Sequence, residues 1–199
     1  VAGDGSVDFD QSGGGDLTTG VLAASETMDV TNDMGDIAFT GSVSSSDLVA
    51  ISTGAVTDGI GGDLAVSGLA DVTAGSVELG DNAGNVINFG SLTFNSDGLV
   101  AISEDSSLDL FGVNTAGSAD LDSISSVSDA VGGSVEVSGL FDVTGTSITL
   151  GSGAFNSGSV TFSSDGLVAI SEDSSLDLVG VNTAGSADIE SASSVSDAI

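Results

Sequence analysis

One stretch of eighteen residues occurs twice in this chain, almost without change. Ser103–Asp120 and Ser171–Asp188 differ only where Phe111 in the first copy is replaced by Val179 in the second. Active sites are seldom duplicated so faithfully within one chain, whereas structural building units are. The duplication therefore predicts an architecture made of equivalent units.

Aligning the copies divides the chain into three units. Residues 61–131 and 132–199 form the second and third units, which open with the similar segments GGDLAVSG and GGSVEVSG. Residues 1–60 form a degenerate first unit that lacks about 20 residues in one block. A globular core would rarely survive that loss, but a solenoid tolerates the loss of one complete coil because each coil contacts only its neighbours. The missing block predicts coils of about 20 residues, and roughly nine or ten of them in the chain.

Within each coil, apolar and polar residues alternate over three to five positions, as in SVELG and SITL. This period of two is typical of strands, and the Gly, Asn, Asp and Ser residues between them favour turns. We therefore expect one all-β domain over residues 1–199, a parallel β-helix (β-solenoid). Its inward side chains should stack into ladders, with these candidates: Leu64, Val66, Val77, Leu79, Leu92, Phe94, Leu108 and Leu110.

A string of small β-sandwiches is the alternative fold. A unit of about 70 residues is short for an immunoglobulin-like domain, which typically has about 100 residues. Such domains also usually carry Tyr or Trp in the core, and this chain has neither. Both observations favour the solenoid.

The charge of the chain restricts its partners. It has 30 acidic residues and no Lys, Arg or His, so no side chain can neutralise a phosphate group. Nucleic-acid binding and attachment to anionic lipid are therefore not expected. No apolar run approaches the roughly 18 residues of a membrane-spanning helix, so membrane insertion is not expected either.

The residue types also argue against an enzyme. Without His or Cys, the chain cannot build a Ser-His-Asp triad, a Cys-His pair or a typical zinc site. Paired carboxylates could hydrolyse glycosides, but the acidic residues recur in step with the repeat, as structural positions do. We expect no catalytic residues and no required cofactor.

Cation binding is the chemistry that the acidic residues favour most. Stacked coils bring equivalent carboxylates together, and Ca²⁺ could relieve their repulsion by binding carboxylate and turn carbonyl oxygens. The main candidate ligands are Asp97, Glu104 and Asp105, with their equivalents Asp165, Glu172 and Asp173. The DFD segment at residues 8–10 is a weaker candidate. The alternative is that these acids only line a solvated face that keeps the molecule soluble.

Residues 61–94 and the stretches NTAGSADL and SSVSDAVGGSVEVSG resemble the repeats of very large bacterial surface proteins, the filamentous-haemagglutinin-like and autotransporter-like adhesins. The resemblance covers nearly the whole chain. It implies a right-handed parallel β-helix that is exported and acts at the cell surface or in the extracellular matrix. The family has no shared catalytic residues that could be assigned here.

Together these observations predict a noncatalytic extracellular structural protein, a segment or subunit of a β-solenoid fibre. An open solenoid end templates further pairing, so the expected partners are copies of the chain stacked end to end or neighbouring repeats of the same chain. Divalent cations are the other expected partners. The alternative function is an adhesin stalk or binding module of a giant surface protein.

Overall fold

The computed structural model describes residues 2–198, and the side chains of residues 4–197. Val1 and Ile199, where one chain would join the next in a fibre, lie outside the described residues. The described chain consists of short strands and turns and contains no helix, and thus none that could cross a membrane. All strand pairings are parallel, which confirms the predicted all-β parallel β-solenoid.

The strands are β1 (Ala2–Gly3), β2 (Val7–Gln11), β3 (Leu17–Thr19), β4 (Leu22–Ala24), β5 (Thr27–Asn32), β6 (Ile37–Phe39), β7 (Val43–Ser45), β8 (Asp47–Ser52), β9 (Ala55–Asp58), β10 (Leu64–Ala74), β11 (Ser76–Leu79), β12 (Ile87–Ser96), β13 (Leu99–Glu104), β14 (Leu108–Leu110), β15 (Val113–Ala116), β16 (Ser118–Ser123), β17 (Ser126–Asp129), β18 (Ser134–Thr144), β19 (Ser147–Leu150), β20 (Ala154–Ser163), β21 (Leu167–Glu172), β22 (Leu176–Val179), β23 (Ser186–Ser191) and β24 (Val195–Ala198).

One ladder of paired residues passes through every coil of the described chain. Its successive members are 18 to 23 residues apart, which agrees with the predicted coil length. The solenoid therefore has about ten coils, as predicted. The members are Leu17, Ile37, Val56, Val77, Val100, Ala119, Phe141, Val160, Leu178 and Asp197.

The core lies along the axis of the solenoid, where alternate residues of each strand point inward. All eight ladder residues predicted from the sequence are buried, with at most 2 % of their surface exposed. Phe141 and Phe155 meet edge to face in neighbouring coils, with ring centroids 5.4 Å apart. Because each coil packs on the next, the core is one continuous apolar column.

Glycine opens the second and third units for a backbone reason. Gly61 and Gly132 have φ angles of +83° and +84°, in the left-handed region that favours glycine. Each lies in the turn that leads from one unit into the next. The recurring Gly-Gly pair is thus a turn requirement of the fold.

One ladder ends inside the solenoid and another begins. The ladder through β4, β7 and β10 reaches residues 87–89 of β12, and no strand of the described chain pairs with these residues on the side of the following coil. A new ladder begins at β15 and continues through the first halves of β18 and β20. This change of ladder falls in the duplicated stretch.

Candidate functional site

The Glu-Asp pair at the start of the duplicated stretch, Glu104 and Asp105, bonds to the backbone of residues 87–89. These residues lack strand pairing to the following coil in the described chain. Glu104 Oε1 accepts hydrogen bonds from the backbone N–H of Phe89 at 3.0 Å and from the Ser106 hydroxyl at 2.6 Å. Asp105 Oδ2 accepts from the N–H of Ile87 at 3.0 Å. These carboxylates therefore satisfy amide groups that a neighbouring strand satisfies elsewhere.

The third unit repeats this arrangement. Glu172 Oε1 accepts from the backbone N–H of Ser157 at 2.9 Å and from the Ser174 hydroxyl at 3.0 Å. Asp173 Oδ2 accepts from the N–H of Phe155 at 3.2 Å. We call each Glu-Asp pair, Glu104–Asp105 and Glu172–Asp173, a carboxylate cap.

The two caps differ in one hydrogen bond. The Ser157 hydroxyl donates to Glu172 Oε2 at 3.1 Å, whereas Glu104 Oε2 is buried and has no hydrogen-bond partner among the described residues. Phe89 stands where the third unit has Ser157, so the second unit offers no hydroxyl at this place. Burial raises the pKa of Glu104 to about 7, and the charge of Asp105 adds to the rise. Hydrogen bonds from Ser106 and Phe89 oppose it only in part.

Asparagine residues serve the same purpose where the new ladder begins. Leu110 pairs with Leu92 and Thr115 with Asn95, so the chain has two more residues between these pairs than β12 has. Asn114 lies in this interruption of the strand pairing. Its Oδ1 accepts from the N–H of Phe94 at 3.0 Å. Asn182, the equivalent in the third unit, accepts from Phe162 at 2.9 Å. These asparagines escaped the sequence reasoning, although both lie in the duplicated stretch.

A further set of acceptors, the buried carboxylates Asp58 and Asp129, lies at the ends of the units. Asp58 accepts from the backbone N–H of Gly80 at 2.9 Å, and Asp129 accepts from Ser152 at 3.0 Å and Gly153 at 2.9 Å. Burial is the main cause that raises the pKa of Asp58. These side chains hold the backbone of the following coil, whereas the carboxylate caps hold the backbone of the preceding coil.

Acidic residues also stack on the outer surface. Asp120 and Asp142 are directly paired on neighbouring strands, and Asp122 lies two residues along the same face. Burial raises the pKa values of Asp120 and Asp142, and the charge of Asp122 contributes to both. No basic residue exists in the chain to relieve this repulsion.

The predicted calcium ligands do not form one site. Glu104 lies beside Asp105, and Glu172 beside Asp173, in the two carboxylate caps. Asp97 and Asp165 are exposed in turns, and Asp97 lines a separate groove of about 630 Å³ together with Glu136. Among the described residues, no three carboxylates are grouped so that they could hold a metal ion. Calcium binding stays a prediction, and so does the role of the DFD segment, in which Asp8 and Asp10 are exposed.

The chemistry that these carboxylates perform in the fold is the acceptance of hydrogen bonds from the backbone. Each cap uses its oxygens on amide or hydroxyl groups of its own coil or the neighbouring coil. Comparison with known proteins adds no relative, because no family model, no curated protein and no solved structure matches this chain. The β-solenoid fold is therefore established by the strand pairing alone.

Proposed function

We propose that this chain is a noncatalytic structural protein, a segment or subunit of a β-solenoid fibre at the cell surface or in the extracellular matrix. The observation that carries the proposal is that recurring acidic residues accept hydrogen bonds from the backbone of neighbouring coils. The Glu and Asp residues that repeat most faithfully, such as Glu104 and Asp129, bind backbone amides of neighbouring coils. A residue pattern selected for holding coils together supports a mechanical role.

The fold gives such a fibre stiffness and solubility. About ten coils at a spacing of about 4.8 Å form a rod of about 45 Å, in which backbone hydrogen bonds run along the axis. The apolar column inside adds packing between every pair of coils. Outside, a net charge of −30 keeps the rod hydrated and attracts cations, with Ca²⁺ as the candidate divalent ion.

The extracellular location is proposed from the resemblance to bacterial adhesin repeats together with the polar, acidic surface. Immunogold electron microscopy of producing cells, with an antibody raised against the purified chain, tests it. We expect label along fibres or surface material outside the cell. Label confined to the cytoplasm would refute the location and the structural role outside the cell.

A binding module is the second candidate, and one groove favours it. The groove of about 630 Å³ crosses four consecutive coils and is lined by polar side chains, among them Asp97, Thr115, Glu136 and Asn156. A glycan array probed at physiological salt distinguishes the two functions. Saturable, selective binding that is lost in the variant Asn156→Ala would favour the adhesin, and uniform background supports the structural role.

A further inference from the structure

The second unit contains a loop that is longer than its equivalent in the third unit. Six residues, DNAGNV, lie between Gly80 and Ile87, whereas three residues, SGA, lie between the equivalent Gly151 and Phe155. The strands on both sides of the loop have equivalents in the third unit. The insertion is therefore a feature of one place in the rod, and the repeat itself does not require it.

Hydrogen bonds to the end of the first unit hold this loop in place. The Asn82 side chain donates to the carbonyl of Asp58 at 2.8 Å, and the Asn85 side chain donates to the carbonyl of Gly59 at 2.6 Å. Asn85 Oδ1 in turn accepts from the backbone N–H of Gly61 at 2.8 Å. The loop thus forms a fixed wall on the side of the rod.

This wall borders a pocket of about 390 Å³ at the carboxylate cap of the second unit. The pocket extends over four consecutive coils, from the loop to Thr144. Its acidic lining residues are Asp81, Glu104, Asp105 and Asp122. They are distributed over three coils, and no three carboxylates of the described chain are grouped around one point. The acidic lining alone therefore does not define a binding site.

The unpaired oxygen of Glu104 gives this pocket a second, independent feature. Glu104 is 2 % exposed and belongs to the pocket lining. Its Oε1 holds the N–H of Phe89, while its Oε2 has no hydrogen-bond partner in the described part of the chain. Buried charges in proteins are paired with an opposite charge or bind a metal ion. Because the chain has no Lys, Arg or His, only a cation from solution can compensate an ionised Glu104.

The third unit provides an internal comparison. There the hydroxyl of Ser157 donates to Glu172 Oε2, so that both carboxylate oxygens have partners. The loop beside this cap is the one that is three residues shorter. The unpaired oxygen and the additional loop thus occur together in one unit and are both missing from the other. Their coincidence supports a common purpose.

We propose that the pocket binds one Ca²⁺ ion, with Glu104 and Asp105 as its two carboxylate ligands. Two carboxylates balance the charge of the ion, and Ca²⁺ takes about six to eight oxygen ligands in a flexible geometry, water among them. The side-chain oxygen of Asn82 and water supply neutral ligands. Capping and ion binding use different oxygens, because Glu104 Oε1 and Asp105 Oδ2 accept from backbone amides. This site goes beyond the proposed structural function, which does not require it.

A calcium titration of the isotopically labelled full chain, followed by NMR, tests the proposal. In about 150 mM NaCl exposed charges are screened beyond about 8 Å, which suppresses diffuse attraction to the acidic surface. We expect saturable shifts of the amide signals of Phe89 and residues 81–85. The midpoint should lie between about 0.1 and 1 mM, the range of extracellular calcium modules. The amides of Phe155 and Ser157 in the third unit should not respond.

Matched variants separate this site from the other cap. Glu104→Gln keeps an oxygen for the N–H of Phe89 but removes the charge, and it should weaken binding at least about tenfold. Glu172→Gln makes the same change in the third unit and should leave the titration unchanged. Asp105→Asn keeps an acceptor for Ile87 and should also weaken binding about tenfold, which provides a second variant if the first does not fold.

Three results would overturn the proposal. The first is the lack of a saturable shift at Phe89, whether its signal stays unchanged or drifts with those of the whole acidic surface. The second is an equal saturable response of both caps. The third is a folded Glu104→Gln variant that binds Ca²⁺ as tightly as the unmodified chain. None of these results affects the immunogold test, so failure of the calcium site and failure of the structural function are distinguishable.

Discussion

Glu104 gives the sharpest test of the physical account, through the substitution Glu104→Gln. Its side chain is 2 % exposed, and one of its carboxylate oxygens has no hydrogen-bond partner in the described part of the chain. Burial raises its pKa from the ordinary 4.5 to about 7. Each pKa unit corresponds to 1.36 kcal/mol, so ionised Glu104 costs the folded state about 3 kcal/mol. Glutamine keeps the shape and the acceptor oxygen but does not ionise.

The direction of the pH effect on stability follows from comparing the protonation of Glu104 in the folded and unfolded chains. Below pH 4.5 Glu104 is protonated in both, and its burial carries no ionic cost. Between pH 4.5 and about 7 the unfolded chain ionises first, so the free energy of unfolding falls, and above about 7 the loss is complete. The stability of Glu104→Gln relative to the unmodified chain should therefore rise by about 3 kcal/mol between about pH 4 and about pH 8.

Urea unfolding followed by circular dichroism at intervals across this range measures the difference. The control Asp165→Asn makes the same chemical change at an exposed turn, and it should stay within about 0.5 kcal/mol of the unmodified chain. If the difference in stability between Glu104→Gln and the unmodified chain is the same at acid and neutral pH, the buried carboxyl of Glu104 does not cost the folded state free energy.

Three further substitutions test the other carboxylates by urea unfolding at neutral pH. Ser157→Ala removes the hydroxyl that satisfies Glu172 and should cost about 1–3 kcal/mol, since it leaves a buried carboxylate oxygen unpaired. Asp129→Ala removes the acceptor of two backbone amides between units and should cost a similar amount, about 1–3 kcal/mol. Asp142→Asn should instead stabilise the chain by up to about 1 kcal/mol by relieving repulsion with Asp120, and the gain should vanish in acid, where both carboxyl groups are protonated.

The fold could be predicted from sequence because two independent patterns agree. The alternation of apolar and polar residues defines strands, and the block missing from the first unit gives the length of one coil. Residues such as Leu64 and Val77 were therefore identified as ladder members without any structure, and both are buried. A pattern repeated over ten coils averages out local exceptions.

The change of ladder could not be predicted, because it depends on which strands pair across coils. The alternation of inward and outward residues along a strand nevertheless indicates where the capping carboxylates lie. Val100, Ile102 and Glu104 occupy alternate positions of β13, so the same parity that buries the two apolar residues turns Glu104 inward. Val127 and Asp129 have the same relation in β17. A polar residue that ends an inward-facing run indicates a backbone cap, whereas composition and stacking alone suggested a metal ligand.

The caps also explain why one stretch of the chain is repeated so strictly. Hydrogen bonds of a regular ladder join backbone to backbone, so they tolerate most side chains, and segments such as those of residues 1–60 can diverge. At the change of ladder, side chains replace the missing strand, and the bonds made by Glu104, Asp105 and Asn114 each require an acceptor oxygen on a side chain of one length in one place. The single difference between the two copies agrees with this reasoning, because Phe111 is 52 % exposed and only its backbone takes part in the ladder.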